Sequence, residues 1–393
     1  MKKEKILLIT KFIPIPAYGG GSKRNIAWLS FLSKKYDVYL IGFWNNNFEK
    51  KMLNKYQNIH IFGFNLKRNI FTLFLNIIQS FFYKKPIINF QYFNRKLARK
   101  INDLTLNNEF KFVLFSEIAT VQYTNYINKY SYIFDDHNVE YELIERMSKY
   151  KKFPINILFK RESKLMKNIE YNALNNSLNN FVVSKRDKEI IMKEFSVESH
   201  VVNNTYIDKH GNNDNLDKER TILFLGNLSW FPNVHGMKKF INDIYPKIKD
   251  THIDCKFIVI GSNINSEIKK LCKLNNILLY ENVDDSTKDD ILKKAWLTIV
   301  PVYFGGGTRI KIIEYWSNAK VVVSTPIGAE GLPKVNGTFI VQSDEEFANN
   351  IIELLNNKNN LKKLGKNNYR IFKKYYEEGI VYENSLYNTI ITK

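Results

Sequence analysis

The most informative segment for predicting the fold is PVYFGGGTRIKIIEYWSNAKVVVSTPIGAEGL, residues 301–332. It places three glycines, a threonine and an arginine between an apolar run typical of a strand (297–302) and a run with helical spacing (309–319). Glycine loses more conformational entropy on ordering than any other residue, so three in a row indicate unusual dihedral angles or close approach to a ligand. The pattern predicts strand, turn and helix, with a ligand site at the turn.

Strand-like runs alternate with helical spacing on both sides of this stretch. They are KILLIT (5–10), YDVYLIGF (36–43), FKFVLF (110–115), YSYIFD (130–135) and NNFVVS (179–184), then TILFLG (221–226), CKFIVIG (255–261), NILLYENV (276–283), LTIVPV (297–302) and KVVVS (320–324). The segment 203–220 between the two series is polar, rich in Asn and Asp and without a period, which is typical of a linker. The sequence therefore predicts an α/β protein with two Rossmann-like, doubly wound parallel-sheet domains, residues 1–205 and 206–374.

Composition is that of a soluble globular enzyme. The 393 residues, 44% of them apolar and 25% charged, suffice for two cores. The net charge of +20 supports an anionic partner, although lysines spread over every segment are equally typical of a solvated surface. The two cysteines, Cys255 and Cys272, exclude a disulfide framework and fit a reducing cytoplasm. The apolar run near the N-terminus is too short for a secretory signal.

The segment 68–93, RNIFTLFLNIIQSFFYKKPIINFQYF, is dense in Phe, Ile and Leu. Asn76 and Gln79 interrupt it, and its longest apolar run is shorter than the roughly 20 residues that span a bilayer. A core helix and an amphipathic helix on a membrane surface both fit. The number of large rings, followed at once by Lys84 and Lys85, favours peripheral contact with the inner face of the plasma membrane.

A glycine loop, AYGGGSKRN (17–25), follows the first predicted strand. Ser22 is predicted as a helix N-cap, and the amides of Gly20 and Gly21 are then available to an anion. The spacing matches neither the dinucleotide fingerprint nor the phosphate loop of nucleotide hydrolases, so NAD binding is not expected. A tight turn before a helix fits this loop as well as a ligand site does.

The second glycine loop carries more features. Gly305, Gly306 and Gly307 form the turn, Thr308 is predicted to cap the following helix, and Arg309 lies in its first turn. A cation at a helix N-terminus opposes the helix dipole unless an anion compensates it. Backbone amides together with a planar guanidinium suit a diphosphate.

Two further side chains of this helix are candidates. Lys311 fits either a phosphate contact or an ion pair with Glu314, three residues later on the same helix. Glu314 fits that surface pair, or a carboxylate that accepts hydrogen bonds from two vicinal ribose hydroxyls.

GGGTRIKIIEYWSNAKVVVSTPIGAEGL (305–332) resembles the donor-site signature of family 4 glycosyltransferases, which have the GT-B fold. The segments FDDHNVEY (134–141), FVVSKRD (181–187), VVNNTYID (201–208) and ILFLGNLSWFPNVHGMKKF (222–240) recur in that family's order, so the resemblance covers nearly the whole chain. It implies two domains facing each other across a cleft and a retaining transferase. The donor, a UDP- or GDP-sugar, is held by the C-terminal domain. The acceptor, a glycan or lipid-linked molecule, is held by the N-terminal domain, to which a helix at about 375–393 crosses back.

The resemblance also assigns residues. Glu314 matches the second Glu of the family's paired-Glu motif, which holds the ribose. His137 matches a histidine near the transferred sugar, although a histidine at a strand end also fits a packing role. Gly20 matches the N-terminal glycine loop near the donor phosphates and the acceptor.

Two positions depart from the family. The first Glu of the pair falls on Gly306, which leaves the identity of the sugar open. Many relatives carry an Arg after the glycine of the first C-terminal strand, where this chain has Asn227. We therefore expect Arg309, and with it Lys311, to take the phosphate role.

The resemblance implies a metal-independent glycosyltransferase, without cofactor, in the synthesis of cell-surface polysaccharide. Asp135 and Asp136, adjacent in a predicted strand, point to opposite sides and do not share an ion. His235 is expected in a loop. The alternatives are a GT-B nucleotide-sugar epimerase or hydrolase, and a basic RNA- or membrane-binding module; intact Arg309 and Glu314 disfavour the module, and no nucleic acid partner is expected.

Overall fold

The computed structural model of the chain describes residues 3–15, 19–44, 59–208, 216–379 and 381. Its packing divides the chain into two compact units, which meet in sequence between Asn203 and Asn204. The centre of the predicted linker (209–215) and the end of the predicted C-terminal helix (382–393) lie outside the described residues.

The first unit is built on a parallel sheet with the strand order β3-β2-β1-β4-β5-β6-β7. The strands are β1 (Lys5–Phe12), β2 (Asp37–Phe43), β3 (Ile59–Phe64), β4 (Phe110–Ser116), β5 (Tyr132–Asp136), β6 (Asn179–Val182) and β7 (His200–Val201). Continuous apolar runs form its central strands because helices cover both faces of such a sheet. The order reverses between β1 and β4, which is where open sheets of this kind bind ligands, outside the carboxyl ends of the strands.

The helices of the first unit are α1 (Gly19–Lys35), α2 (Ile70–Tyr83), α3 (Ile87–Gln91), α4 (Arg95–Asn107), a 3-10 helix (Ile118–Tyr126), α5 (Glu140–Ser148), α6 (Ile155–Asn175) and α7 (Lys185–Phe195). The prediction of Ser22 as an N-cap is wrong, because α1 already begins at Gly19, whose φ of +83° turns the chain into the helix. Gly20 and Gly21 lie in the first turn, where backbone N–H groups have no intrahelical acceptor.

The second unit repeats the architecture with the strand order β10-β9-β8-β11-β12-β13, again all parallel. The strands are β8 (Thr221–Asn227), β9 (Lys256–Ser262), β10 (Leu278–Glu281), β11 (Leu297–Val300), β12 (Val321–Ser324) and β13 (Thr338–Ile340). The order reverses between β8 and β11. The predicted α/β class with two parallel-sheet domains is confirmed.

The helices of the second unit are α8 (Phe231–Lys239), a π-helical turn (Phe240–Ile244), α9 (Tyr245–Thr251), α10 (Ser266–Leu274), α11 (Asp285–Lys294), α12 (Ile310–Ser317), α13 (Asp344–Leu355) and α14 (Lys358–Tyr375). His235 lies in α8, so its prediction as a loop residue is wrong; its ring packs 5.2 Å from that of Phe304. Helix α12 is fixed to the sheet by Tyr315, whose hydroxyl accepts from Leu225 N–H at 2.9 Å.

Candidate functional site

The glycine turn after β11 has the unusual dihedral angles that its sequence predicts. Gly305 has a φ of +149° and Gly307 a φ of +68°, both in the region that favours glycine. A Cβ on Gly305 would collide with the guanidinium of Arg309 and come within 3.4 Å of Trp230. The lack of a side chain at Gly305 therefore also leaves room for the guanidinium of Arg309.

Arg309 is buried at the N-terminus of α12. Its Nη1 donates to the Gly306 carbonyl at 2.5 Å, and its guanidinium carbon lies 5.2 Å from the centre of the Trp230 ring. The side chain is thus held in one orientation at the positive end of the helix. A planar cation fixed beside the free amides of a helix N-terminus is the arrangement that binds phosphate.

The predicted capping role of Thr308 is wrong. The helix starts one residue later than a cap at Thr308 requires, and Arg309 occupies the N-cap position without a side-chain cap. The Thr308 hydroxyl instead accepts a hydrogen bond from Asn204 Nδ2 at 2.6 Å. Thr308 is thereby fixed beside the glycine turn by a residue at the start of the second unit.

Lys311 lies over the carboxyl end of β8. Its Nζ donates to Asn233 Oδ1 at 3.2 Å and lies 4.2 Å from the centre of the Phe224 ring. A Cβ on Gly226 would come within 2.9 Å of that ammonium. Lys311 and Arg309 therefore both lie at the carboxyl edge of the second sheet, near the point where its strand order reverses.

Asn227, at the end of β8, closes the adjoining turn. Its Oδ1 accepts from the backbone N–H and the hydroxyl of Ser229, at 2.9 and 2.8 Å. The amide thus shapes the turn that follows β8.

Glu314 is buried on α12, one turn beyond Arg309. Its Oε1 accepts from the Tyr206 hydroxyl at 2.8 Å and lies 3.0 Å from Lys288 Nζ. Burial opposes the charge of Lys288, but Glu314 and Asp285 more than offset this, so the pKa of Lys288 is raised. Burial, and then the Glu314 carboxylate, also raise the pKa of Tyr206. The Glu314 carboxylate is therefore held in a fixed orientation by Tyr206 and Lys288, as a group that binds hydroxyls requires.

A second cluster lies at the carboxyl edge of the first sheet. His137 follows β5, and its Nε2 lies 3.0 Å from Asp135 Oδ2 and 2.8 Å from Ser116 Oγ. Burial alone would raise the pKa of Asp135, but the Arg24 guanidinium and His137 lower it well below its usual range. Because an ionised Asp135 accepts, Nε2 of His137 carries a proton. Its Nδ1 lies 3.4 Å from where a Cβ on Gly21 would lie.

Asp135 is the anchor of this cluster. Its carboxylate accepts from Arg24 Nε at 2.9 and 3.1 Å, pairs with Arg24 Nη2, and accepts from Trp28 Nε1 at 2.8 Å. Arg24 also donates from Nη1 to the Val202 carbonyl at 2.8 Å. The arginine and the aspartate are both buried, so they bind α1 to β5 and set the position of His137.

Glu117 completes the edge. It follows β4 with a φ of +74°, which is rare and costly for a residue with a side chain. Its carboxylate pairs with Lys11, accepts from Asn25 Nδ2 at 3.3 Å and lies, like His137, beside Gly21. Although burial opposes ionisation, Lys11 and His137 lower the pKa of Glu117. The edge thus carries an ionised carboxylate, an ammonium and an imidazole around the start of α1.

Asp136 points away from this edge, as the alternation of the strand predicts. Burial and the neighbouring Glu170 raise the pKa of Asp136. Glu170, whose pKa burial raises to about 8, accepts from the backbone N–H groups of Glu140 and Tyr141 at the start of α5. Glu170 thereby links α6 to the start of α5. Within the described ranges, no three His, Cys, Asp or Glu side chains form a group that could hold a metal ion.

The sequence interpretation missed several residues of both clusters. Glu117 had a usable signal, since it is an acidic residue directly after a predicted strand. Lys288 had none, because it lies in α11, whose charged sequence is typical of a solvated helix. Tyr206 lies within the predicted linker. Trp230 lies in the segment 222–240, which resembles the family but carries no pattern that singles out this tryptophan.

Comparisons with known proteins bear on the family and the fold. Residues 219–357 match the family model Glycosyl transferases group 1. An uncharacterized 44.6 kDa protein in the cps region of Klebsiella pneumoniae is 24% identical over an alignment of 404 residues, which covers 97% of this chain and 98% of that protein.

Two solved structures share the fold over both units. A mutant of S. aureus TarM, in complex with fondaparinux, α-GlcNAc-glycerol and UDP, superposes with a TM-score of 0.71 at 11% identity, covering 99% of this chain and 100% of that one. WaaG, a glycosyltransferase involved in lipopolysaccharide biosynthesis, superposes with a TM-score of 0.65 at 12% identity, covering 97% and 98%.

Proposed function

We propose that this chain, a glycosyltransferase with the GT-B fold, transfers a sugar from a UDP- or GDP-sugar to a glycan or lipid-linked acceptor with retention of configuration. One observation carries the proposal. Arg309 at the N-cap of α12, with Lys311 and Glu314 in its first two turns, lies within the segment that matches the glycosyltransferase family model, at the carboxyl edge of the sheet. UDP in the complex of the TarM mutant supports a nucleotide donor.

Residues 206–374 are assigned the binding of the nucleotide-sugar donor. The diphosphate lies against Arg309 and the backbone of Gly305, Gly306, Gly307 and Thr308, with Lys311, Gly226 and Asn227 at its side. Glu314 accepts hydrogen bonds from the two ribose hydroxyls, and Lys288 with Tyr206 holds that carboxylate in place.

The chemistry follows from where charge develops. The bond between the anomeric carbon and the phosphate oxygen breaks, the electron pair leaves with the nucleoside diphosphate, and the sugar gains oxocarbenium character. Fixed donors aimed at the departing phosphate lower the barrier most, because their alignment costs nothing at the moment of reaction. The acceptor hydroxyl oxygen forms the new bond on the face that the phosphate leaves, and its proton passes to the departing phosphate oxygen.

The residues 1–205 are assigned to the acceptor. His137 and Glu117 lie beside Gly21, next to the first turn of α1 that contains Gly20. With its Nε2 held by Asp135, His137 presents Nδ1 to a sugar hydroxyl. Glu117, kept ionised by Lys11, offers an acceptor. The proposed role is cell-surface polysaccharide synthesis in the cytoplasm, and the relative from a cps region supports the polysaccharide part of it.

Thermal unfolding with nucleotides tests the proposal. At a hundredfold excess over its dissociation constant, a nucleoside diphosphate should stabilise the folded chain by about 2.7 kcal/mol. UDP, GDP, ADP and UMP are compared at equal concentration, and UMP, which lacks the second phosphate, should protect less than UDP. If none of these nucleotides protects while RNA does, the chain is a nucleic acid binder and the proposal is wrong.

A further inference from the structure

Helix α2 exposes its apolar side and buries a polar one. Ser80 is its one buried side chain, whereas the exposed fractions are 67% for Phe71, 59% for Phe74 and 79% for Phe82. Helices of soluble domains normally do the reverse. The apolar side of α2 is therefore a surface that another molecule is expected to cover.

Hydrogen bonds fix this orientation. Ser80 Oγ accepts from Arg161 Nη1 at 2.8 Å and donates to the Lys85 carbonyl at 2.6 Å, while Arg161 Nη2 donates to the Ser80 carbonyl at 2.6 Å. Glu162, the next residue of α6, accepts from Ile87 N–H at 2.7 Å. The polar side of α2 is thus fastened to α6, and the phenylalanines are held outward.

The exposed apolar surface continues beyond α2. Just before and in the first turn of α6, the exposed fractions are 78% for Phe153, 51% for Ile155 and 56% for Ile157. Ile157 lies one turn before Arg161, whose guanidinium carbon is 4.0 Å from the centre of the Phe81 ring. The two segments 70–83 and 153–157 together are called the docking surface below.

The charge at the margins of the docking surface is mainly positive, and the carboxylate of Glu162 beside α2 is paired with Arg161. Lysines Lys67, Lys84 and Lys85 are exposed at the two ends of α2, and Lys152 and Lys160 flank the second segment. The sequence from 50 to 102 contains no Asp or Glu. A second copy of the chain packed here would bring these lysines together, whereas an anionic surface would neutralise them.

We propose that the docking surface binds an anionic lipid bilayer, with α2 lying in the plane of the interface. An exposed face rich in Phe and Leu with Lys at its margins is the composition of interfacial helices. Among the described residues, no helix is long and apolar enough to cross a membrane. Combined with the proposed function, on which this step rests, the inference makes the acceptor lipid-linked, because docking places the acceptor-binding unit at the bilayer.

Vesicle sedimentation with the full chain tests the inference. The wild type should sediment with vesicles of phosphatidylcholine and phosphatidylglycerol, less with phosphatidylcholine alone, and less at high salt. The triple variant Phe71→Ser, Phe74→Ser, Phe82→Ser should bind the vesicles at least about 100-fold more weakly, since three large apolar groups no longer enter the interface. A matched control replaces exposed apolar residues elsewhere, Leu106→Ser, Ile253→Ser and Leu274→Ser, and should bind as the wild type does.

Three results would overturn the inference: no binding of the wild type to anionic vesicles, equal binding of the triple variant, or a lipid-free dimer that the triple variant converts to a monomer. Thermal protection by UDP separates this inference from the proposed function. Protection should persist in the triple variant, and its absence from every variant would count against the glycosyltransferase assignment while leaving the vesicle result intact.

Discussion

Arg309→Ala is expected to slow the release of nucleoside diphosphate from a nucleotide sugar by about 100- to 1,000-fold, the usual effect of removing one fixed donor at a developing negative charge. The guanidinium lies between Trp230 and the glycine turn at the N-terminus of α12, so its loss leaves the departing phosphate without its planar cation. The measurement is the turnover rate at saturating nucleotide sugar, with circular dichroism to confirm the fold.

Arg220→Ala is the matched control for this prediction. Arg220 lies in the same unit and pairs with the exposed Asp254 at 2.8 Å, away from the glycine turn. Its removal should leave turnover unchanged. Arg309→Lys keeps the charge but loses the planar pair of donors, and turnover should fall between that of the wild type and that of Arg309→Ala. Turnover of Arg309→Ala at the wild-type rate would remove the diphosphate role.

Asp135→Asn is expected to lower the free energy of unfolding by about 3 to 5 kcal/mol, because it leaves the charge of Arg24 buried without a partner. Both side chains are almost wholly inaccessible, at 1% and 0% exposed. Urea denaturation at pH 7 measures the loss. Asp254→Asn breaks an arginine pair in which both partners are partly exposed and should change stability little.

The loss of stability caused by Asp135→Asn should depend on pH. The pKa of Asp135 is lower in the folded chain than the value of about 3.9 for an unfolded aspartate. Its contribution is therefore present above that value and is lost as the pH falls through the folded pKa. The stability difference between wild type and Asp135→Asn should shrink in acid. A constant difference across that range would show that the ionised carboxylate is not what stabilises the wild type.

The sequence predicted the strands that lie in the middle of each sheet because continuous apolar runs mark strands buried on both faces. It missed β3, β7 and β13, which are edge strands without fully buried residues. The predictions of Ser22 and Thr308 as helix N-caps were also wrong. In both cases the backbone geometry of the preceding glycine turn decides the first residue of the helix, and composition alone does not encode that geometry.

The candidate site was predictable where its residues are close in sequence. Arg309, Lys311 and Glu314 belong to one helix, so their spacing places them together. Lys288 and Tyr206 reach Glu314 from separate elements, and such contacts depend on packing that periodicity does not encode. For α2, composition indicated an apolar helix, but the side that faces outward is decided by the hydrogen bonds of Ser80.

The structure of the chain in complex with UDP is the most direct test of the account. We predict phosphate oxygens within hydrogen-bond distance of the Arg309 guanidinium and of backbone amides between Gly305 and Thr308, with both ribose hydroxyls donating to Glu314. Density for UDP at another place, or a glycine turn that stays empty at saturating UDP, would contradict the claim that this helix N-terminus holds the donor.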